Sequence, residues 1–352
     1  MLSRRLSNTD LKTSSTDTIG IGKLSVETIA AFKGLSILIV VFHNVIHWMV
    51  PENEFRFNQE KVFNFFDHFW RIPIESLISF YGWLGVSFFV FASGYGLTVK
   101  YGIRPIRIIQ WIVKHYFKLV LLLIPAILLF AFLSLTWKID QILSLLVQGS
   151  LAYNIISPEK IYSAVFWYVG MAFQLYICFL ILRKAPTWLL LAVGIMSGIV
   201  VGIMPENTMY YLRHNCIGWL PEFVFGMIIA RNPPLIFGKN KWLMLFASIL
   251  LLVLTSLTKY TFAFSGIFFV LILLTGSKSI SKSKMFVFLG VISASIYVVH
   301  PALRAIWVII IRKFHLGIHP LVMGLTVFLC SLVVAVIYNK CYLYVRKKMG
   351  LL

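Results

Sequence analysis

Long apolar runs, separated by short charged or turn-rich stretches, organise the chain. They lie at about 30–50, 76–98, 116–136, 162–182, 187–204, 216–231, 241–258, 262–277, 285–310 and 320–344. Each approaches the roughly 20 residues that an α-helix needs to cross a hydrocarbon core of about 30 Å. None alternates apolar and polar residues as the strands of a membrane barrel do. The segment 141–156 is apolar but short and interrupted. It reads as an interfacial or re-entrant piece, with an eleventh span as the alternative. The predicted fold is all-α: a polytopic integral-membrane bundle of about ten transmembrane helices. Residues 1–26 are polar, rich in Ser and Thr, and lack the apolar core of a signal peptide. They read as a disordered tail, 27–345 as the transmembrane domain and 346–352 as a basic tail.

Composition agrees with that pattern. Of 352 residues, 60% are hydrophobic and 12% charged, against about 45–50% and about 25% in soluble domains. The net charge of +20, from 32 basic and 12 acidic residues, would suggest nucleic acid in a soluble protein. Its distribution excludes that reading. With the N-terminus inside, the inner segments hold 22 of the 32 basic residues and the outer ones 10. The loop 99–118 carries Lys100, Arg104, Arg107, Lys114 and Lys118, whereas the loop 51–75 carries Glu52, Glu54, Glu60, Asp67 and Glu75. Cytoplasmic loops are the ones enriched in Lys and Arg, so both termini are expected in the cytoplasm. Cys178, Cys216, Cys330 and Cys341 are scattered across the spans and read as packing residues.

Ionisable residues within spans are costly and are functional candidates. The first span holds Lys33, His43, Asn44 and His47. A rise of 1.5 Å per residue puts His43 about 15 Å from Lys33, near mid-membrane. His43 and His47 share a helix face, but no third ligand stands at fixed spacing and no metal is expected. Glu222 follows Pro221 in the sixth span, as a buried neutral carboxyl or as the partner of a cation or imidazole. The ninth span carries Ser293, Ser295, Tyr297 and His300, and the fourth opens on Trp167 and Tyr168, followed by Gln174 and Tyr176. Ser and Tyr hydroxyls also serve as interhelical glue, and Trp and Tyr as belt residues.

Taken together and in order, these segments resemble the integral-membrane acyltransferase 3 family. Lys33-Gly34-Leu35-Ser36 onward to His43 is similar to its R/K-G-x-A-x-L-x-V-V-x-x-H signature. Gly85-Val86-Ser87-Phe88-Phe89 through Ser93-Gly94-Tyr95 resembles its G-V-x-x-F-F-x-x-S-G-F segment. Trp167-Tyr168 with Gln174 and Tyr176, Pro221-Glu222-Phe223 with Gly226-Met227, and Ser295-Ile296-Tyr297 with His300 match its remaining motifs. The resemblance covers about 27–345. Two positions depart from the pattern. The family has one more residue between its cation and its histidine. An offset of eleven returns to within about 20° of the starting face of a helix, whereas ten lands about 80° away. Either a π-bulge restores the register, or Asn44 and His47 share the histidine's role. The family's R-x-x-R motif aligns with His115 and Lys118, while a literal match stands at Arg104 and Arg107.

The resemblance implies an O-acyltransferase of the bacterial inner membrane, multi-pass in the bilayer. It would move an acetyl group from cytosolic acetyl-CoA, or from another acyl-CoA, to a hydroxyl of a surface or lipid-linked polysaccharide. No permanently bound cofactor and no nucleic-acid partner are expected. His43 is the candidate base or transient acyl carrier, oriented by Glu222 or Asn44, with Lys33 holding the CoA side. The basic residues Arg104, Arg107, Lys114, His115 and Lys118 suit a phosphate-bearing donor or anionic headgroups. Ser93, Trp167, Tyr168, Gln174, Tyr297 and His300 complete the candidate site. The competing class is a transporter or flippase, against which the lack of matching halves counts.

Overall fold

The computed structural model describes residues 24–133, 147–156, 166–232, 240–276 and 278–351. Residues 1–23 of the tail and 141–146 of the segment 141–156 lie outside the described residues. Of that segment, 147–156 is described and contributes the helical turn Tyr153–Ile156. Among the described residues there is no strand.

The apolar runs form helices. We number them α1 (Val26–Met49), α2 (Gln59–Arg71), α3 (Pro73–Tyr81), α4 (Gly85–Tyr101), α5 (Ile108–Leu133), α6 (Trp167–Leu182) and α7 (Thr187–Ile203). Then follow α8 (Glu206–Arg213), α9 (Leu220–Arg231), α10 (Lys241–Ser256), α11 (Ser265–Gly276), α12 (Lys284–Val291), α13 (Ser293–Phe314) and α14 (Pro320–Lys348). Five stretches are long and apolar enough to cross a membrane alone: α1, the combined Pro73–Tyr101, the first 22 residues of α5, α13 and α14. Trp167–Leu182, Thr187–Ile203, Lys241–Ser256 and Phe262–Gly276 are shorter apolar helices.

Three boundaries differ from the sequence pattern. The second run starts earlier, at Pro73, and is interrupted by a 3₁₀ turn over Gly82–Leu84. The ninth divides at Ile292 into α12 and α13. The basic loop 99–118 is shorter than expected, because α5 already begins at Ile108. The reason is legible in retrospect: Trp111, His115 and Leu119 recur every four residues and turn inward together.

The first helix is the hub and packs against α3, α4, α12, α13 and α14. It begins on Ser25, whose hydroxyl accepts from the Thr28 amide. Its tightest crossing is with α12. A Cβ on Gly34 would collide with the Phe286 carbonyl oxygen, and one on Gly290 with that of Ala30. Glycines let two membrane helices approach backbone to backbone, where dispersion replaces the absent hydrophobic drive. The core between the helices is aromatic and aliphatic, from Ile37 and Val41 on α1 to Val298 and Val299 on α13.

Candidate active site

The regular winding of α1 settles its register. Val26–Met49 is one uninterrupted α-helix, so no π-bulge brings His43 back above Lys33. The two side chains instead serve different cavities. Lys33 lines a cavity of about 170 Å³ with Val86, Ser93, Tyr168, Tyr176, Ser293 and Tyr297. His43 and Asn44 line a small cavity of about 20 Å³ with Glu54, Phe55, Trp83, Trp167, Trp219 and Tyr297. Val86 and Tyr297 belong to both walls. The two spaces therefore adjoin along the bundle, from the Lys33 level to the His43 level.

His43 is held on three sides. Gly82 leaves room for it: a Cβ there would stand 2.6 Å from the Cβ of His43. Its Nδ1 lies 3.1 Å from the Ile78 carbonyl oxygen on α3. A carbonyl only accepts, so Nδ1 carries the proton in that bond. The other nitrogen, Nε2, faces Glu54 Oε1 at 3.2 Å. His47 stands one turn further, ring centroid 4.9 Å from that of His43. Its Nε2 is 3.6 Å from Glu54 Oε2 and its Nδ1 is 3.2 Å from Ser79 Oγ. One carboxylate thus serves both imidazoles.

Sequence reasoning counted Glu54 only among the outer-loop acids. The signal was its position: an acid just past the end of a helix, eleven residues after the histidine, where the chain folds back. The return of the chain is built by its own polar residues. Asn53 is fully buried; its Nδ2 donates to the Asn58 carbonyl at 2.9 Å and its Oδ1 accepts from the Asn58 amide at 2.8 Å. Glu52 is buried beside His68 Nδ1 at 2.9 Å, and its carbonyl accepts from Lys61 Nζ at 3.1 Å. Phe55 packs edge-on against Trp167, centroids 5.0 Å apart, and against His214 at 4.4 Å. Burial alone would raise the Glu54 carboxyl. The hydrogen bond from His43 and the nearby His43, His47 and His214 outweigh it and hold the carboxyl down at about 2.

Glu222 does not orient His43. At the start of α9 its Oε1 accepts from Ser87 Oγ at 3.2 Å, and it lines neither cavity. The expected orienting carboxylate is replaced by Glu54, because the loop after α1 reaches the imidazole and α9 does not. Asn44 spends its Nδ2 on the Val40 carbonyl one turn back, at 2.9 Å, while its own carbonyl accepts from Arg304 at 2.7 Å.

The remaining candidates divide. Trp167 stacks on Trp219 with centroids 5.4 Å apart and closes the small cavity. Tyr168 packs on Tyr297 at 5.2 Å beside the larger one. Ser93 Oγ donates to the Phe89 carbonyl at 2.9 Å. Gln174 accepts from the Cys216 amide at 2.9 Å and pins the turn before α9. His300 is buried, with Nδ1 donating to the Tyr297 carbonyl at 2.7 Å. Both lie outside the cavity walls.

Among the basic residues, His115 is a packing residue. It is buried, stacks on Trp111 with centroids 3.8 Å apart and donates from Nδ1 to the Trp111 carbonyl at 2.7 Å. Lys114 and Lys118 are half-buried on α5, whereas the Arg104 and Arg107 side chains are exposed. Arg183 Nη1 donates to the carbonyls of Tyr101 and Arg104, at 3.3 and 3.0 Å, and fixes that turn.

A polytopic helical membrane protein therefore carries, between its first helix and the following loop, an imidazole–carboxylate pair at the wall of a small cavity that shares Val86 and Tyr297 with a larger one. The acyltransferase 3 family model, described as an acyltransferase domain, matches residues 26–340, and the chain belongs to that family. It is a membrane acyltransferase. No curated protein and no solved structure matches the chain.

Proposed function

We propose that this acyltransferase moves an acetyl group from acetyl-CoA to a hydroxyl of a surface or lipid-linked polysaccharide in the bacterial inner membrane. The observation that carries the reading is the His43–Glu54 pair at 3.2 Å, set at the wall of a small cavity that shares Val86 and Tyr297 with the larger cavity lined by Lys33. On this reading the donor's phosphates stay at the cytoplasmic surface, near Arg104 and Arg107. Its arm runs past Lys33 through the larger cavity, and its thioester reaches Tyr297, which borders both spaces. The acceptor comes from the side of Glu54.

The chemistry follows from the hydrogen bonding. With Nδ1–H donated to Ile78, Nε2 is the basic nitrogen of the neutral imidazole. The Nε2–Glu54 hydrogen bond needs a proton on Nε2, so the pair reaches its reactive form, a neutral imidazole beside a carboxylate, once that proton has left. It takes the acceptor's hydroxyl proton as the new C–O bond forms and becomes an imidazolium–carboxylate pair. It returns that proton to the CoA sulfur as the C–S bond breaks. The low Glu54 carboxyl suits this role, because the glutamate stays charged and stabilises the imidazolium rather than neutralising itself.

The test is acyl transfer in membranes from labelled acetyl-CoA, with His43→Ala and Glu54→Gln compared at equal expression. Label should enter surface glycan with the wild type and fall to background with His43→Ala. Full activity of His43→Ala would overturn the proposal. Label transferred only from a longer acyl-CoA would replace the acetyl group and leave the site.

A further inference from the structure

The helix α2, on which the Glu54 loop is built, has an apolar face that is exposed among the described residues. Its 13 residues span about 20 Å, too short to cross a bilayer. Around its axis the side chains fall into three sectors. Val62, Phe65 and Phe69 pack inward. Glu60, Asn64, Asp67 and Arg71 form a polar sector, with Arg71 and Asp67 paired at 3.2 Å in the open. Between them, about 100° from the inward face, stand Phe63, Phe66 and Trp70, exposed to 67%, 46% and 84%.

Three large aromatics on one face of a charged helix have no place in water. The stripe also continues past the helix end. The chain bends at Ile72, where Pro73 starts α3, and Ile74 and Leu77 are exposed to 54% and 42%. Both belong to Pro73–Tyr101, a stretch long and apolar enough to cross a membrane. Its uncovered apolar side chains face lipid acyl chains. The aromatic face of α2 directly precedes that stretch in the chain, and its polar sector lies about 100° further round the axis, away from the inward face.

We propose that α2 is an interfacial helix whose Phe63, Phe66 and Trp70 are seated in lipid, at the border between acyl chains and headgroups, in the leaflet at the His43 end of the bundle. Aromatic rings of this kind collect at that depth. The helix also anchors the catalytic loop. Its cap Asn58 is held by Asn53, and its Lys61 and His68 grip Glu52, two residues before Glu54. The seating itself does not depend on the proposed reaction.

Tryptophan quenching in nanodiscs tests it. The emission lost in Trp70→Phe isolates the signal of Trp70. With phosphatidylcholine brominated near the headgroup, that signal should drop several-fold, while aqueous iodide should barely affect it. The tryptophan introduced by Asn64→Trp in the Trp70→Phe background should behave oppositely, open to iodide and insensitive to bromine. Iodide quenching of Trp70 equal to that of position 64 would place α2 in water and overturn the proposal. Trp70 shielded from both quenchers would also overturn it, in favour of a protein partner on this face.

Discussion

Glu54 Oε1 lies 3.2 Å from His43 Nε2 although the two residues belong to different elements, one on α1 and the other in the loop beyond its end. On the proposed reaction, the contact makes a buried imidazole, whose Nδ1–H is already spent on Ile78, half of a proton-carrying pair. Glu54→Gln keeps the size of the side chain and removes its charge. Acyl transfer should fall about 10²–10⁴-fold, the usual worth of a general acid–base group. Single-turnover transfer in membranes, with retained elution volume in detergent, checks this. Near-wild-type turnover would remove Glu54 from the chemistry.

His43 and His47 should separate sharply. Only His43 lines a cavity wall; His47 touches the outer oxygen of the same carboxylate at 3.6 Å. His43→Ala should abolish transfer, whereas His47→Ala should cost about tenfold, less than the roughly 10²–10⁴-fold of a group that transfers the proton itself. The ratio of the two initial rates is the measurement. Equal losses would mean that the imidazoles share one role.

Lys33 stands at the far end of the larger cavity, and Arg104 and Arg107 are exposed in the turn before α5. Lys33→Met and the double change Arg104→Ala with Arg107→Ala should each raise KM for the acyl-CoA about tenfold and leave kcat nearly unchanged, as expected when an interaction is equally strong in ground and transition states. His115→Ala should behave differently. It removes a ring stacked on Trp111 and should lower the melting temperature without a selective effect on KM.

Gly34→Leu drives a side chain into the backbone of α12 at Phe286. The cost should reach or exceed the roughly 1–3 kcal/mol typical of overpacking, because a carbonyl, unlike a rotamer, cannot step aside. A sharp fall in folded yield and in melting temperature should result. The same substitution at Gly96, half-buried but with nothing within 4 Å of a Cβ, should be better tolerated.

Glu54 also gives stability a pH dependence. Its carboxyl is held at about 2, below the usual 4.5. A carboxyl depressed in the folded state contributes stability that is fully present above its unfolded value and is lost as pH falls through the folded one. The melting temperature of the wild type should therefore exceed that of Glu54→Gln at pH 6. The gap should narrow below about pH 4.5 and close towards pH 2. A gap independent of pH would show that the charge of Glu54 contributes nothing.

The fold was legible where the apolar runs were long, because a bilayer demands length and forbids unpaired backbone. Each run coincides with helix in its described part. Breaks inside runs, such as Ile292 and Gly82–Leu84, were not legible, since hydropathy is blind to where a buried chain turns. Of the candidates named from the sequence, those on helices that border the cavities include His43, Asn44, Lys33, Tyr168 and Tyr297. Glu54 was missed because a loop acid carries no period to mark the way it points. Glu222 attracted attention because it is a charge inside an apolar run, yet it is spent on Ser87.

The regular winding of α1 carries one more implication. Lys33 and His43 are ten residues apart on an unbroken rod, about 15 Å along its axis. On the proposed reaction that rod is a gauge for the donor. A carrier whose reactive carbonyl sits directly beside its charged group stops at the entrance. A carrier with a long, slender tether delivers the carbonyl to the imidazole while its anionic end stays behind. Acetyl phosphate should accordingly fail where acetyl-CoA succeeds, whatever its intrinsic reactivity, because the enzyme measures reach before it performs chemistry.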